Sequence, residues 1–138
     1  MPIQGQLWMP FDSHAVRFGV PGNVMAVGEG IETTLSLRCA LPGMAMAAAL
    51  SAAHLSAILF PPTLRRLYII RDNDSAGDDV RDTLIKRARK ADIKAIVLSP
   101  RMGDFNDDLR FSGLDMLRAS IADQLMRRDR IRYLARAL

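Results

Sequence analysis

One cysteine, two histidines and one tryptophan in 138 residues leave little room for several kinds of chemistry. The lone Cys39 forms no internal disulfide, and in its apolar stretch it reads as a buried small side chain. His14 and His54 lie far apart and lack thiolate partners, which excludes a tetrahedral Cys/His zinc site. No run approaches the roughly 20 apolar residues of a membrane span, because Ser51, His54 and Ser56 interrupt the Ala-rich stretch 44–59. The N-terminus lacks the basic and apolar regions of a secretory signal, so the cytoplasm is the expected location. There is no P-loop ending in Gly-Lys-Ser/Thr, no internal repeat and no low-complexity segment.

What is present fits one globular domain. Hydrophobic residues make up 49% of the chain and charged ones 25%, enough to build a proper core. The net charge of +4 suits a polyanionic partner without demonstrating one, since a modest Arg excess is common on solvated surfaces.

Residues 1–23 hold Pro2, Gly5, Pro10, Gly19, Pro21 and Gly22 among isolated apolar residues, and read as an N-terminal extension of loops or a short hairpin around 15–18. Beyond them, apolar runs at 24–27, 44–50, 67–70 and 94–98 read as buried strands. Helices are expected over 32–40, 51–59 and 76–91, with Val80, Leu84, Ile85 and Ala88 spaced along one face of the third. A polar loop over 101–108 precedes a last amphipathic helix with Leu114, Leu117, Ile121 and Leu125. This β-α alternation argues for a parallel sheet with helices on both faces. Residues 126–138 read as a basic C-terminal helix or tail, either a solvated helix end or a phosphate-binding one. Trp8 and Phe11 are expected to cover the core rather than stack a base, and His54 to be structural rather than catalytic.

Acidic residues follow three of the strands: Glu29 between Gly28 and Gly30, the Asp72-Asn73-Asp74 pair, and Asp104 in Gly103-Asp104-Phe105-Asn106-Asp107-Asp108. In an open α/β sheet, ligands bind in the crevice beyond the carboxyl ends of the strands. Carboxylates gathered there suit a hard divalent cation, which keeps several waters and needs only one to three protein oxygens when a phosphate supplies the rest. Each group also has a plainer reading. Acidic residues after strands are ordinary helix N-caps, with Asp107 or Asp108 as the cap in the third loop. Asp78, Asp79 and Asp82 are favourable charges in the first turns of a helix. Arg71 either touches a substrate phosphate or offsets carboxylate repulsion.

Taken together, Val27-Gly28-Glu29-Gly30-Ile31-Glu32-Thr33 resembles the first motif of Toprim domains, and Arg71-Asp72-Asn73-Asp74-Ser75-Ala76-Gly77 resembles their Asp-x-Asp motif. Gly103-Asp104-Phe105-Asn106-Asp107 is similar to the acidic loop in Toprim segments of primase and helicase-primase proteins of phages, plasmids and mobile elements. The resemblance implies a Rossmann-like α/β fold with a roughly four-stranded parallel sheet flanked by helices, over 24–125. It implies Mg²⁺ or Mn²⁺ held by Glu29, Asp72, Asp74 and Asp104, with Glu29, Asp72 and Asp74 catalytic. Gly30, Arg71, Asn73 and Asn106 are the expected substrate or phosphate contacts. The implied activity is that of a DNA primase-type nucleotidyltransferase in DNA replication, acting on single-stranded DNA and nucleoside triphosphates, with a helicase or further domains of a longer protein as partners. The alternatives are a non-catalytic Toprim-fold DNA-binding or assembly module and a metal-dependent nuclease.

Overall fold

Apolar residues occupy both faces of the central strands, which calls for a layer of helices on each side. The computed structural model describes residues 15–20 and 22–134 and has that arrangement. Strand β1 (Val16–Phe18) leads to β2 (Val24–Gly28), α1 (Ile31–Ala40), β3 (Ala45–Ala48), α2 (Ala52–Ser56), β4 (Arg66–Ile70), α3 (Ser75–Lys90) and β5 (Lys94–Leu98). Helices α4 (Phe105–Ser112), α5 (Leu114–Ala122) and α6 (Arg127–Asp129) follow, with a π-helical turn at Arg130–Leu134. None of these helices is long and apolar enough to cross a membrane.

The sheet order is β1-β3-β2-β4-β5, with β3, β2, β4 and β5 mutually parallel. The four expected parallel strands are thus present, and β1 adds an antiparallel edge, Val16 lying opposite Ala48. The segment at 15–18 pairs with β3, whose far side is already taken by β2, and Gly19 turns the chain away at φ +82°. Met25, Val27, Leu67 and Ile69 face one side of the sheet, against Leu55 of α2 and Leu84 and Ala88 of α3. Val24, Ala26, Tyr68 and Ile70 face the other, against Leu37 of α1, Phe105 of α4 and Leu117 and Ile121 of α5. From β2 the chain steps outward to β3, then crosses back over β2 to reach β4. The strand order therefore reverses between β2 and β4, which opens a crevice at their carboxyl ends.

Three features differ from expectation. The stretch expected as a polar loop over 101–108 is half helix: Asp104 caps α4, and Phe105 is fully buried. Gly113, at φ +87°, then separates α4 from α5, so the expected single helix is two. Cys39 is exposed, because α1 buries Thr33, Thr34, Ser36, Leu37 and Ala40 and leaves position 39 on the outer side.

The basic C-terminal segment is fastened to the core. Asp129, fully buried, accepts from Arg66 Nε at 2.7 Å and Nη2 at 2.6 Å and from the Tyr68 hydroxyl at 2.6 Å. That hydroxyl in turn accepts from the Met126 amide at 3.1 Å. Burial pushes the Asp129 carboxyl up, but the hydrogen bonds from Arg66 and Tyr68 overcome this and hold it below its ordinary range. Arg127, Arg128 and Arg130 remain exposed on the outer side. Trp8, Phe11, His14 and Arg136 lie outside the described residues.

Candidate functional site

Glu29 follows directly on β2 and Asp72 comes just after β4, and the two strands are hydrogen-bonded neighbours with Val27 opposite Ile69. The exit from β2 is tight. A Cβ at Gly28 would lie 2.9 Å from Thr34 Oγ1 and 3.1 Å from Ile70 Cβ, so glycine lets the chain pass between α1 and β4. The Gly30 carbonyl then accepts from the Thr34 amide at 3.1 Å and from Thr34 Oγ1 at 2.8 Å, starting α1.

Beyond β4, the Arg71 amide donates to the Leu98 carbonyl at 3.0 Å and prolongs the ladder with β5. Asp74 caps α3, its Oδ1 accepting from the Gly77 amide at 2.6 Å. Gly77 packs on the Asp72 carbonyl so closely that a Cβ would lie 2.5 Å from that oxygen. Asn73 braces the third acidic loop. Its amide donates to the Gly103 carbonyl at 2.9 Å, and its Nδ2 donates to the carbonyls of Pro100, at 3.2 Å, and Met102.

That third loop has anchors that sequence reasoning missed. Asp108, only 2% exposed, accepts from the amides of Arg101 and Met102, each at 2.8 Å. Gln124 of the segment after α5 grips Ser99, accepting from its amide at 2.7 Å and donating to its carbonyl at 3.0 Å. Asp104, rather than Asp107 or Asp108, is the cap of α4, its Oδ1 accepting from the Asp107 amide at 2.8 Å. A capping Asp three residues before another acid was the available signal. Nothing local marks Asp108 or Gln124 as loop anchors.

Glu29, Asp72 and Asp74 line one cavity of about 40 Å³, with Ile69, Gly77 and Val80 among its walls. The Asp72 carboxyl is pushed up to about 6, by its own burial first and then by the charges of Asp74, Glu29 and Asp104. Three carboxylates, from all three acidic loops, are thus within electrostatic reach of Asp72. Asp74 and Asp104 each commit one oxygen to a cap, whereas Glu29 and Asp72 have no side-chain hydrogen bond among the described residues. No three acidic, His or Cys side chains among the described residues sit close enough to enclose one ion. The donor set is nonetheless all carboxylate oxygen, which fits a hard divalent cation that retains water ligands.

The residues expected to contact substrate are engaged within the protein. Arg71 is bound to Asp78, with Nε at 2.8 Å and Nη2 at 2.7 Å from its Oδ1, and donates to Asn73 Oδ1 through Nη1. Asn106 Oδ1 accepts from Ser36 Oγ at 3.2 Å, tying α4 to α1. His54 is exposed on α2, whose cap is Ser51.

Known proteins share both the sequence pattern and the fold. The model of the Toprim domain family matches residues 24–115. A search of curated proteins returns no match. The zinc-binding and RNA polymerase domains of the Aquifex aeolicus primase superpose with a TM-score of 0.56 at 18% identity, over 75% of this chain and 26% of that one. The primase fragment of the bacteriophage T7 primase-helicase gives 0.54 at 17% identity, over 76% and 44%. A DNA primase domain from Pseudomonas aeruginosa gives 0.50 at 18% identity, over 74% and 33%. The chain therefore spans between about a quarter and under half of each primase structure it resembles, and at these identities the likeness is one of fold. With its acidic loops gathered at the strand-order reversal and the family pattern running from β2 into α5, the chain belongs to the Toprim domain family.

Proposed function

We propose that this Toprim domain is the metal-dependent catalytic module of a DNA primase-like protein, carrying out nucleotidyl transfer on a single-stranded DNA template in the cytoplasm. The observation that carries the reading is geometric: Glu29 after β2 and Asp72 and Asp74 after β4 line one cavity where the strand order reverses, and burial with the neighbouring carboxylates pushes the Asp72 carboxyl up to about 6. Such a cluster is destabilised by its own repulsion. A cation in the crevice relieves that repulsion, and perturbed groups of this kind mark functional sites.

In this reading Glu29, Asp72, Asp74 and Asp104 hold Mg²⁺ or Mn²⁺, with Glu29, Asp72 and Asp74 acting at the reaction centre. Bound there, the ion would neutralise triphosphate charge and stabilise the attacking and leaving oxygens of the displacement. The chain's own contribution is to position. Asp74 and Asp104 each spend one oxygen on a helix cap, so the direction of the other is fixed by α3 and α4. Asn73 ties the second loop to the third and Asp108 braces the third loop from within, which keeps Asp104 near Asp72. Gly30 leaves the backbone open to a ligand where α1 begins.

The test is primer synthesis on a single-stranded template with labelled ribonucleotides and Mg²⁺ or Mn²⁺, comparing the parent chain with Asp72→Asn/Asp74→Asn. Metal-dependent oligonucleotide products, lost in the variant, are expected. Shortened template without ribonucleotide incorporation would replace the primase reading with a nuclease one.

A further inference from the structure

The sheet's opposite edge carries charge of the other sign. Between the C-terminal end of α3 and the first residues of β4 and β5 lies an open cleft of about 380 Å³, lined by Arg65, Arg89, Lys94 and Asp92 over Ile85 and Ile93. The three cations come from three different segments: the residue before β4, the last turn of α3 and the first residue of β5. The framework beneath them is fixed by backbone hydrogen bonds, Arg65 amide to Asn23 carbonyl at 2.8 Å and Lys94 amide to Arg65 carbonyl at 2.9 Å. Asp92 turns the chain at φ +59°, and the Ile93 amide closes back on Ala88 at 2.8 Å.

A basic residue in the last turn of a helix is explained by the helix dipole, and that accounts for Arg89. It does not account for Arg65 and Lys94 converging on the same cleft. All three side chains are exposed, and neither they nor Asp92 form an ion pair among the described residues. Three other arginines are engaged within the protein: Arg66 with Asp129, Arg71 with Asp78, and Arg87 with the carbonyls of Ser56 and Ile58. The cleft keeps an excess of positive charge over its one carboxylate.

We infer that this cleft is a second binding site, for the phosphodiester backbone of a single nucleic-acid strand, at the edge of the sheet away from the acidic crevice. It deepens the proposed function and rests on it. The cleft is larger than one phosphate requires, and its apolar floor of Ile85 and Ile93 suits sugars or base faces between phosphates. The two sites are separated by the length of β4, whose five residues span about 16 Å.

The experiment is fluorescence anisotropy of a labelled single-stranded DNA of about 20 nucleotides, titrated with the full chain over about 50 to 200 mM salt. Loss of three strand contacts should lower the slope of log affinity against log salt by about 2. The variant Arg65→Ala/Arg89→Ala/Lys94→Ala is expected to show that fall and at least about tenfold weaker binding at the low-salt end. A control of equal charge, Arg127→Ala/Arg128→Ala/Arg130→Ala, is expected to keep the parent slope. An unchanged slope in the cleft variant, an equal fall in the control, or no binding by the parent chain would overturn the inference. Amide shifts at Lys94 and Ala95 that saturate with ATP or inorganic phosphate, while DNA binding is indifferent to the cleft variant, would assign the cleft to small phosphates instead. The DNA titration is run without divalent ions and reads the cleft alone, whereas primer synthesis is read in Asp72→Asn/Asp74→Asn. Loss of synthesis in that variant bears on the proposed function alone.

Discussion

Removing the Asp108 carboxylate should loosen the third acidic loop and cost the whole domain a measurable part of its stability. The group is 2% exposed and accepts two backbone amides, from Arg101 and Met102. Hydrogen bonds to a charged group contribute about 1.5–3 kcal/mol each. Arg101 and Met102 are themselves exposed, so their amides regain water when the carboxylate is gone, and the lower end applies to both. Asp108→Ala should then lose about 3 kcal/mol. For 138 residues, an unfolding entropy of about 2.1 cal/mol/K per residue makes this a fall in Tm of about 10 °C. Asp108→Asn keeps one acceptor and should lose about half as much. Urea and thermal unfolding followed by far-UV circular dichroism measure the loss, and amide exchange at Arg101 and Met102 locates it. A loss below about 1 kcal/mol for Asp108→Ala would refute the view that this side chain holds the loop.

Other perturbations test other joints of the structure. Asp129→Ala strands the buried Arg66 guanidinium and should cost about 3–5 kcal/mol in urea unfolding, whereas a solvated C-terminal tail would cost almost nothing. Because the folded Asp129 carboxyl lies below its unfolded value of about 3.9, its contribution is present above that pH and disappears as pH falls through the folded value. The Asp129→Ala variant should lack that portion of the acid-side loss, and an acid limb identical to the parent's would contradict the assignment. Gly77→Ala should destabilise despite the better helix propensity of Ala, because its Cβ would meet the Asp72 carbonyl at 2.5 Å. Calorimetry showing Gly77→Ala more stable than the parent would contradict that contact.

The parallel strands were legible because β2, β3, β4 and β5 are short apolar runs, each closed by Gly, polar or Pro residues. The helix α3 announced itself by Val80, Leu84 and Ala88 at helical spacing. Strand β1 alternates apolar, charged and apolar over only three residues, too little for a period, and its pairing is decided by the free edge of β3. Helix α4 was hidden because Asp104-Phe105-Asn106-Asp107-Asp108 has turn composition, and only Phe105 and Leu109 mark its inner face.

The three acidic loops were readable from their place after strands. That Glu29 and Asp72 belong to neighbouring strands was not, since it follows from the crossover that puts β2 between β3 and β4. The family resemblance placed Glu29, Asp72, Asp74 and Asp104 at one metal ion without giving the strand order. The partners of Arg66 and Asp108 were out of reach. Arg66 meets Asp129 from 63 residues away, and the Asp108 bonds depend on how the loop folds back over α4.

The central claim is that the carboxylates of Glu29, Asp72, Asp74 and Asp104 form a divalent-cation site. A titration of the chain with Mg²⁺ and Mn²⁺, followed by calorimetry and by NMR of the amides at 29, 72–77 and 103–107, tests it directly in the parent and in Asp72→Asn/Asp74→Asn. Saturable binding with shifts confined to those three loops, abolished in the variant, is the predicted result. Binding of equal strength in both proteins, or no binding in the parent, would contradict the claim.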